Sequence, residues 1–174
     1  MPATHEKKVK DLMIPIEEYS RVNINSTVKE AIMVLKESFC PAGTEHCTGH
    51  RSVLVFDDDD NLVGLLTFRS LLVAIEPRFL KVEQWAVPVF WEGLFTERCR
   101  EEAQKKVKEV MHPITLVTVN AEDTIIKTVY AMIKHKLGAL PVVSNGRVVG
   151  MIRITEIFNE ISELVTNEPE SVPA

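Results

Sequence analysis

Cys40, His46, Cys47 and His50 fall within one short stretch, and thiolates and imidazoles are the ligands zinc prefers. Four of them can close a tetrahedral site, yet the spacing follows no usual zinc knuckle, because His46 abuts Cys47. Three readings stay open: a metal site, a redox-sensitive Cys40/Cys47 pair, or an ordinary solvent loop in which Gly43 and Gly49 allow sharp turns. The run Asp57 to Asp60 is also rich in oxygen ligands, but it lacks the twelve-residue spacing ending in glutamate that a calcium loop needs, so it reads as a solvated hairpin turn. Cys99 stands in a strongly charged helical pattern and reads as packing. The sequence contains no G-x-S-x-G, H-E-x-x-H, phosphate loop or G-x-G-x-x-G, which predicts a protein without enzyme activity of its own.

The elements around these residues occur twice. Leu140 to Val143 and Val148 to Ile152 flank Ser144-Asn145-Gly146, the pattern of two strands joined by a tight turn. Val53 to Phe56 and Leu62 to Thr67 repeat it around the aspartates. Upstream, Val9-Lys10-Asp11-Leu12-Met13-Ile14-Pro15 matches Val107-Lys108-Glu109-Val110-Met111-His112-Pro113. After each heptad comes an extended segment (Ser20 to Ile24, Ile114 to Val119), then a helix start: Thr27 and Glu30 are spaced as a capping box, and Glu122-Asp123-Thr124 offers caps in the second copy. Val28, Ala31, Ile32 and Leu35, with Ile125, Val129, Met132 and Ile133, recur at helical spacing and are expected to face a core. A second helix closes each copy, over Phe68 to Ile75 and Thr155 to Val165.

Boundaries follow from this. Residues 1–8 are expected to be a flexible start, 9–75 the first repeat with an inserted loop at about 38–50, 76–106 an ordered connection carrying a charged helix, 107–165 the second repeat, and 166–174 a flexible tail. The connection holds Trp85, Val87, Val89, Phe90, Trp91, Leu94 and Phe95; these aromatics either cover the chain's own core or mark a dimer contact.

Of 174 residues, 45% are hydrophobic, which is enough for a real core. A net charge of -5 offers no global attraction to a nucleic acid polymer. No apolar run approaches the roughly 18 residues of a membrane span, and the first ten residues are polar rather than signal-like, so the expected address is cytoplasmic. Three cysteines do not make a disulfide framework.

Taken together, V-x-[DE]-x-M-x-P, the L-P-V-V strand, the turn, V-V-G and a second helix, present twice, resemble the cystathionine-β-synthase (CBS) domain, and the two copies resemble a Bateman module. The resemblance implies an α/β (α+β) fold of two β-α-β-β-α repeats packed sheet to sheet as a pseudo-twofold pair. Pairing also makes physical sense, since a sheet with helices on one side must bury its other face.

The resemblance further implies a regulatory module that binds an adenosine-containing ligand (AMP, ADP, ATP or S-adenosylmethionine type) between the copies, commonly as a homodimer, and signals to a separate, unknown regulated protein. No other cofactor is implied. Related modules hold ribose and phosphate with a [ST]-x-x-[DN] motif after the last strand's glycine. The first copy departs from it with Thr67 and Ser70, the second with Arg153 and Glu156. By resemblance, Thr118, Ala139, Leu140 and Pro141 form the adenine wall, Glu156 meets the ribose and Arg153 the phosphate, while Lys136, His135, Arg51 and His50 add positive charge. Arg153 and Glu156, three residues apart, equally suit a plain ion pair at a helix start. Two rival readings accompany this one: a structural or protein-interaction module with decayed sites, and a metal or redox sensor acting through the loop from Cys40 to His50.

Overall fold

Val9 and Val107, the first residues of the two matching heptads, are both fully buried, each in a different hydrophobic core. The computed structural model describes residues 5–43, 45, 49–77, 91–114 and 117–167. The chain forms two compact units, one of Met1–Glu18 with Leu116–Ala174 and the other of Tyr19–Thr115. The heptad that opens the first repeat is therefore built into the unit that holds the rest of the second, and the heptad that opens the second into the unit that holds the rest of the first.

In the unit containing the second repeat, helix α1 (Val9–Leu12) leads to strand β1 (Ile14–Pro15). A short 3-10 turn, Ile16–Glu18, follows. Strand β6 (Val119–Asn120), helix α6 (Ile125–His135), strands β7 (Ala139–Ser144) and β8 (Arg147–Arg153) and helix α7 (Ile154–Thr166) complete it. The sheet order is β1-β8-β7-β6. Strands β7 and β8 form the expected hairpin, closed by Asn145 and Gly146 at φ 50° and 76°, the left-handed pair that a two-residue turn requires. Strand β6 runs parallel to β7, as a connection through a helix demands.

The other unit repeats this plan with strand β2 (Arg21–Asn23), helix α2 (Val28–Phe39), strands β3 (Ser52–Phe56) and β4 (Leu62–Thr67) and helix α3 (Phe68–Ile75). Helix α4 (Leu94–Ala103), helix α5 (Val107–Val110) and strand β5 (His112–Pro113) follow. Its order is β2-β3-β4-β5, again with one parallel pair and a heptad strand at the edge. The expected capping box starts α2: Glu30 N–H donates to Thr27 Oγ1 (3.2 Å) and Thr27 N–H to the Glu30 carboxylate (2.8 Å).

Side chains alternate across each strand. Leu140 and Val142 of β7 join Met132 of α6, Ile157 of α7 and Val9 in one core; Val53 and Val55 of β3 join Ala31, Leu35, Leu66 and Val107 in the other. The expected core stripes prove too wide. Ile32 is 38% exposed and Ile133 72%, because each helix lies on its sheet along one narrow face and residues at the margin of the stripe remain outside. In α6 and α7 the uncovered apolar residues include Ile126, Tyr130, Phe158, Ile161 and Leu164. Of the aromatic connection, Trp91 and Phe95 are exposed; Trp85, Val87, Val89 and Phe90 lie outside the described residues.

Candidate functional site

The junction of β8 and α7 carries a charged pair, Arg153 and Glu156. Strand passes to helix without a loop, and Arg153 is both the last residue of β8 and the N-cap of α7. Glu156, in the helix's first turn, accepts the Arg153 backbone N–H (3.2 Å) and Arg153 Nε (2.9 Å), and its second oxygen accepts Arg153 Nη2. Their side chains are 23% and 17% exposed, so this two-pronged pair is partly desolvated. The plain ion pair that the spacing suggested is present.

Ala139 lies opposite Arg153 in the β7–β8 ladder, Leu140 opposite Ile152 and Pro141 opposite Met151. The Ile154 N–H donates to the Gly138 carbonyl (3.0 Å), tying the start of β7 to the start of α7. Leu140 is fully buried in the core and Pro141 is buried, so Leu140 has its backbone to offer a ligand rather than its side chain. Thr118 is exposed immediately before β6, whose ladder with β7 begins one residue past Pro141, at Val142. Helix α6 ends at Lys136, held in the left-handed conformation at φ 54°. Lys134, His135 and Lys136 are all exposed, a short step before Ala139.

Register equates the other unit residue by residue. Ser52 lies opposite Thr67 as Ala139 lies opposite Arg153, so Thr67 and Ser70 correspond to Arg153 and Glu156. Here the box is neutral: Ser70 N–H donates to Thr67 Oγ1 (3.0 Å), Thr67 N–H to Ser70 Oγ (3.2 Å), and the two hydroxyls are 3.0 Å apart. Arg51 is exposed just before β3, and the His50 ring packs on Tyr19 with centroids 4.2 Å apart.

Two further positions come from register alone. Val22 pairs with Val55 as Val119 pairs with Val142, which sets Arg21 where the other unit has Thr118; Ser52, buried, corresponds to Ala139. Arg21 lies over the Phe56 ring, 3.6 Å from its centroid, and pairs with Asp60. A basic residue directly before the first strand's valine was the available sequence signal, and only the strand pairing gives it meaning.

The metal-like residues do not form a site among those described, where no group of three or more His, Cys, Asp or Glu could hold an ion. Cys40 ends α2 as its C-cap and is disulfide-bonded; His46 and Cys47 lie outside the described residues; Cys99 is free. The acidic turn is satisfied internally. Asp57 accepts the N–H groups of Asn61 (2.8 Å) and Asp59 (3.0 Å) and the Asn61 side-chain amide (3.1 Å), and the Asn61 bonds above all hold its carboxyl below the usual range. Asp58 accepts Asn23 Nδ2 at 3.0 Å.

Comparison with known proteins follows this geometry. No curated protein gave a significant match. Among solved structures, the CBS-pair protein CBSX2 from Arabidopsis thaliana shares 19% identity at a TM-score of 0.66, covering 94% of this chain and 99% of that one. CBSX2 in complex with AMP aligns at 0.62, with 18% identity over 91% and 98% of the two chains. The cytosolic domain of the Mg2+ channel MgtE, in complex with ATP, aligns at 0.58 with 24% identity over 90% of this chain. This chain spans 49% of the length of that MgtE chain and 60% of that of protein MJ1004 from Mathanocaldococcus jannaschii, which aligns at 0.60 with 24% identity over 91% of this chain. The CBS domain family model matches residues 9–77 and 107–163, and the chain belongs to the CBS domain family, with two copies in tandem.

Proposed function

We propose that this protein is a non-catalytic regulatory module that binds an adenosine nucleotide beside the β8–α7 junction. The observation that carries the reading is a partly buried guanidinium, Arg153, at the end of the sheet opposite Ala139, with the exposed Lys136 three residues before Ala139 in the chain. A planar fork there suits a phosphate, and the positive end of the α7 dipole adds to it. Thr118, Ala139, Pro141 and the Leu140 backbone form the base wall, Arg153 takes phosphate and Glu156 the ribose diol. Thr67, Ser70 and Arg51 are the corresponding, uncharged or exposed, set in the other unit. Structures of similar fold with AMP and with ATP support the ligand class.

The ligand acts by preferring one arrangement of the module over another, which a regulated protein then reads. Self-association fits the same reading, since Ile126, Tyr130, Ile133, Phe158 and Ile161 leave apolar helix faces uncovered. A homodimer is expected in analytical ultracentrifugation.

A second reading, a structural or protein-interaction module, is favoured by one observation: both motifs are closed on themselves, Thr67 with Ser70 and Arg153 with Glu156. Calorimetry with AMP, ADP, ATP and S-adenosylmethionine separates the two. Saturable heat together with a raised melting temperature supports the sensor; no heat and no shift with any of the four supports the structural module.

A further inference from the structure

We infer that the disulfide at Cys40 is a reversible redox site, opened by a dithiol, whose state sets the order of the end of α2 and, through Phe39, of the start of α3. The inference is independent of the nucleotide reading above.

Cys40 is the C-cap of α2, and its N–H makes the bond that closes the helix, to the Lys36 carbonyl (2.9 Å). Its sulfur is disulfide-bonded. Cys99 is free, so Cys47, outside the described residues, is the cysteine that the sequence leaves for this bond. Two features let the bond open without unfolding the unit. The hydrophobic core that holds Ala31, Leu35, Val53 and Val55 takes in no described residue between Leu35 and Val53, so Cys40 lies outside it. Cys40 is also partly exposed and is followed by the exposed Pro41, Ala42 and Gly43, which gives an attacking thiolate access.

Reduction proceeds by thiol–disulfide exchange. One thiolate of the dithiol attacks a sulfur of the disulfide and displaces the other protein sulfur; the second thiolate of the reductant then displaces the first cysteine. The S–S bond of the protein breaks, one forms in the reductant, and the two protons of the dithiol end on the two cysteine sulfurs.

Opening has a consequence because the chain returns flush against the end of α2. The Gly49 N–H donates to the Phe39 carbonyl (3.0 Å), and a β-carbon on residue 49 would overlap the Ser38 carbonyl oxygen. Cys47 stands two residues before Gly49 in the sequence, so the disulfide fastens this return, and reduction removes the covalent tie. The Phe39 ring meets Phe68 edge-on, with centroids 5.0 Å apart. Phe68 is the first residue of α3, directly after Thr67, whose hydroxyl accepts the Ser70 N–H (3.0 Å). Loosening the end of α2 therefore loosens the start of α3.

The test is alkylation and amide hydrogen exchange of the native protein before and after dithiothreitol, with thermal melting as the check on folding. Before reduction, alkylation is expected at Cys99 alone; after it, at Cys40 and Cys47 as well, with a cooperative melt retained. Exchange at the Cys40, Gly49 and Ser70 amides is expected to speed by about ten-fold on reduction, the worth of one hydrogen bond, and to slow again on reoxidation. Cys40→Ser and Cys47→Ser are each expected to match reduced wild type and to ignore the dithiol, and either decides the matter if the other does not fold. Alkylation of Cys40 before reduction, reduction only in denaturant, or exchange that is the same in both states overturns the redox site. Faster exchange at Cys40 and Gly49 with none at Ser70 overturns the coupling to α3 and leaves the redox site standing.

Discussion

The α-carbon of Gly150 faces the Ile14 carbonyl so closely that a β-carbon on residue 150 would stand 2.5 Å from that oxygen. This approach lets the heptad strand β1 join the edge of β8, where Pro15 lies opposite Gly150. Gly64 meets β5 in the same way, but its nearest neighbour is the flexible Met111 Sδ at 2.6 Å, with the His112 carbonyl at 3.0 Å. Gly150→Ala must move backbone and is expected to cost about 1–3 kcal/mol, whereas Gly64→Ala, relieved by a methionine rotamer, falls at the low end. Urea midpoints of the two variants check the ranking; equal midpoints would sink it.

Helix starts that look alike in sequence differ in what they hold. Thr27 Oγ1 caps α2, so Thr27→Ala is expected to cost about 1 kcal/mol. Thr124 is the N-cap of α6 but makes no side-chain cap bond, and Thr124→Ala is expected to fall within about 0.5 kcal/mol of wild type, as a surface change does. Thermal unfolding of the two variants gives the comparison. A larger loss at Thr124 would contradict it.

These pairs mark how far the residues announce the structure. The hairpins were legible because strand alternation and the turn residues Asn145 and Gly146 are local, and so was the box of Thr27 and Glu30. The docking of Ile14 against Met151 was not, since no local pattern records which of two similar sheets a short strand will join. Ile133 was misplaced for a related reason: periodicity gives the direction of an apolar stripe, and only packing gives its width. The Arg153–Glu156 pair could be read from its spacing, whereas the equivalence of Arg21 with Thr118 required the strand register.

Glu102 is a charged side chain only 4% exposed, held by Lys105 (2.9 Å) and Arg98 (2.7 Å). Burial pushes its carboxyl up, but Lys105 and Arg98 outweigh that and hold it below the usual value. Arg98 also donates to the Ala74 carbonyl (2.8 Å) and the Ile75 carbonyl (3.4 Å), covering the end of α3. Arg98→Ala removes both functions and is expected to cost about 3 kcal/mol, largely by leaving Glu102 under-compensated. The double substitution Arg98→Met with Glu102→Leu is expected to lose less than Arg98→Ala alone. Additive losses in a double-mutant cycle would show that the buried carboxylate is not the cause.

Glu122 anchors the stretch that carries α1, taking Lys8 Nζ and Lys10 Nζ at 2.6 Å each. The hydrogen bond from Lys10, then that from Lys8, pulls its carboxyl from 4.5 down to about 2, and the Lys10 ammonium is raised in return, chiefly by its hydrogen bond to Glu122. A depressed folded-state value means that the stabilisation is fully present above 4.5 and disappears as pH falls toward about 2. The raised lysine acts at the other end of the scale: its share is present below 10.5 and is lost as pH rises beyond it. Near neutrality the pair is solvent-exposed and screened, so Glu122→Gln is expected to change stability little there. Between pH 4.5 and 2 its melting temperature should fall less steeply than that of wild type, because the proton that wild type must take up at this site no longer matters. Parallel melting curves for the two proteins across that window would mean that the lysines do not hold the carboxylate in solution.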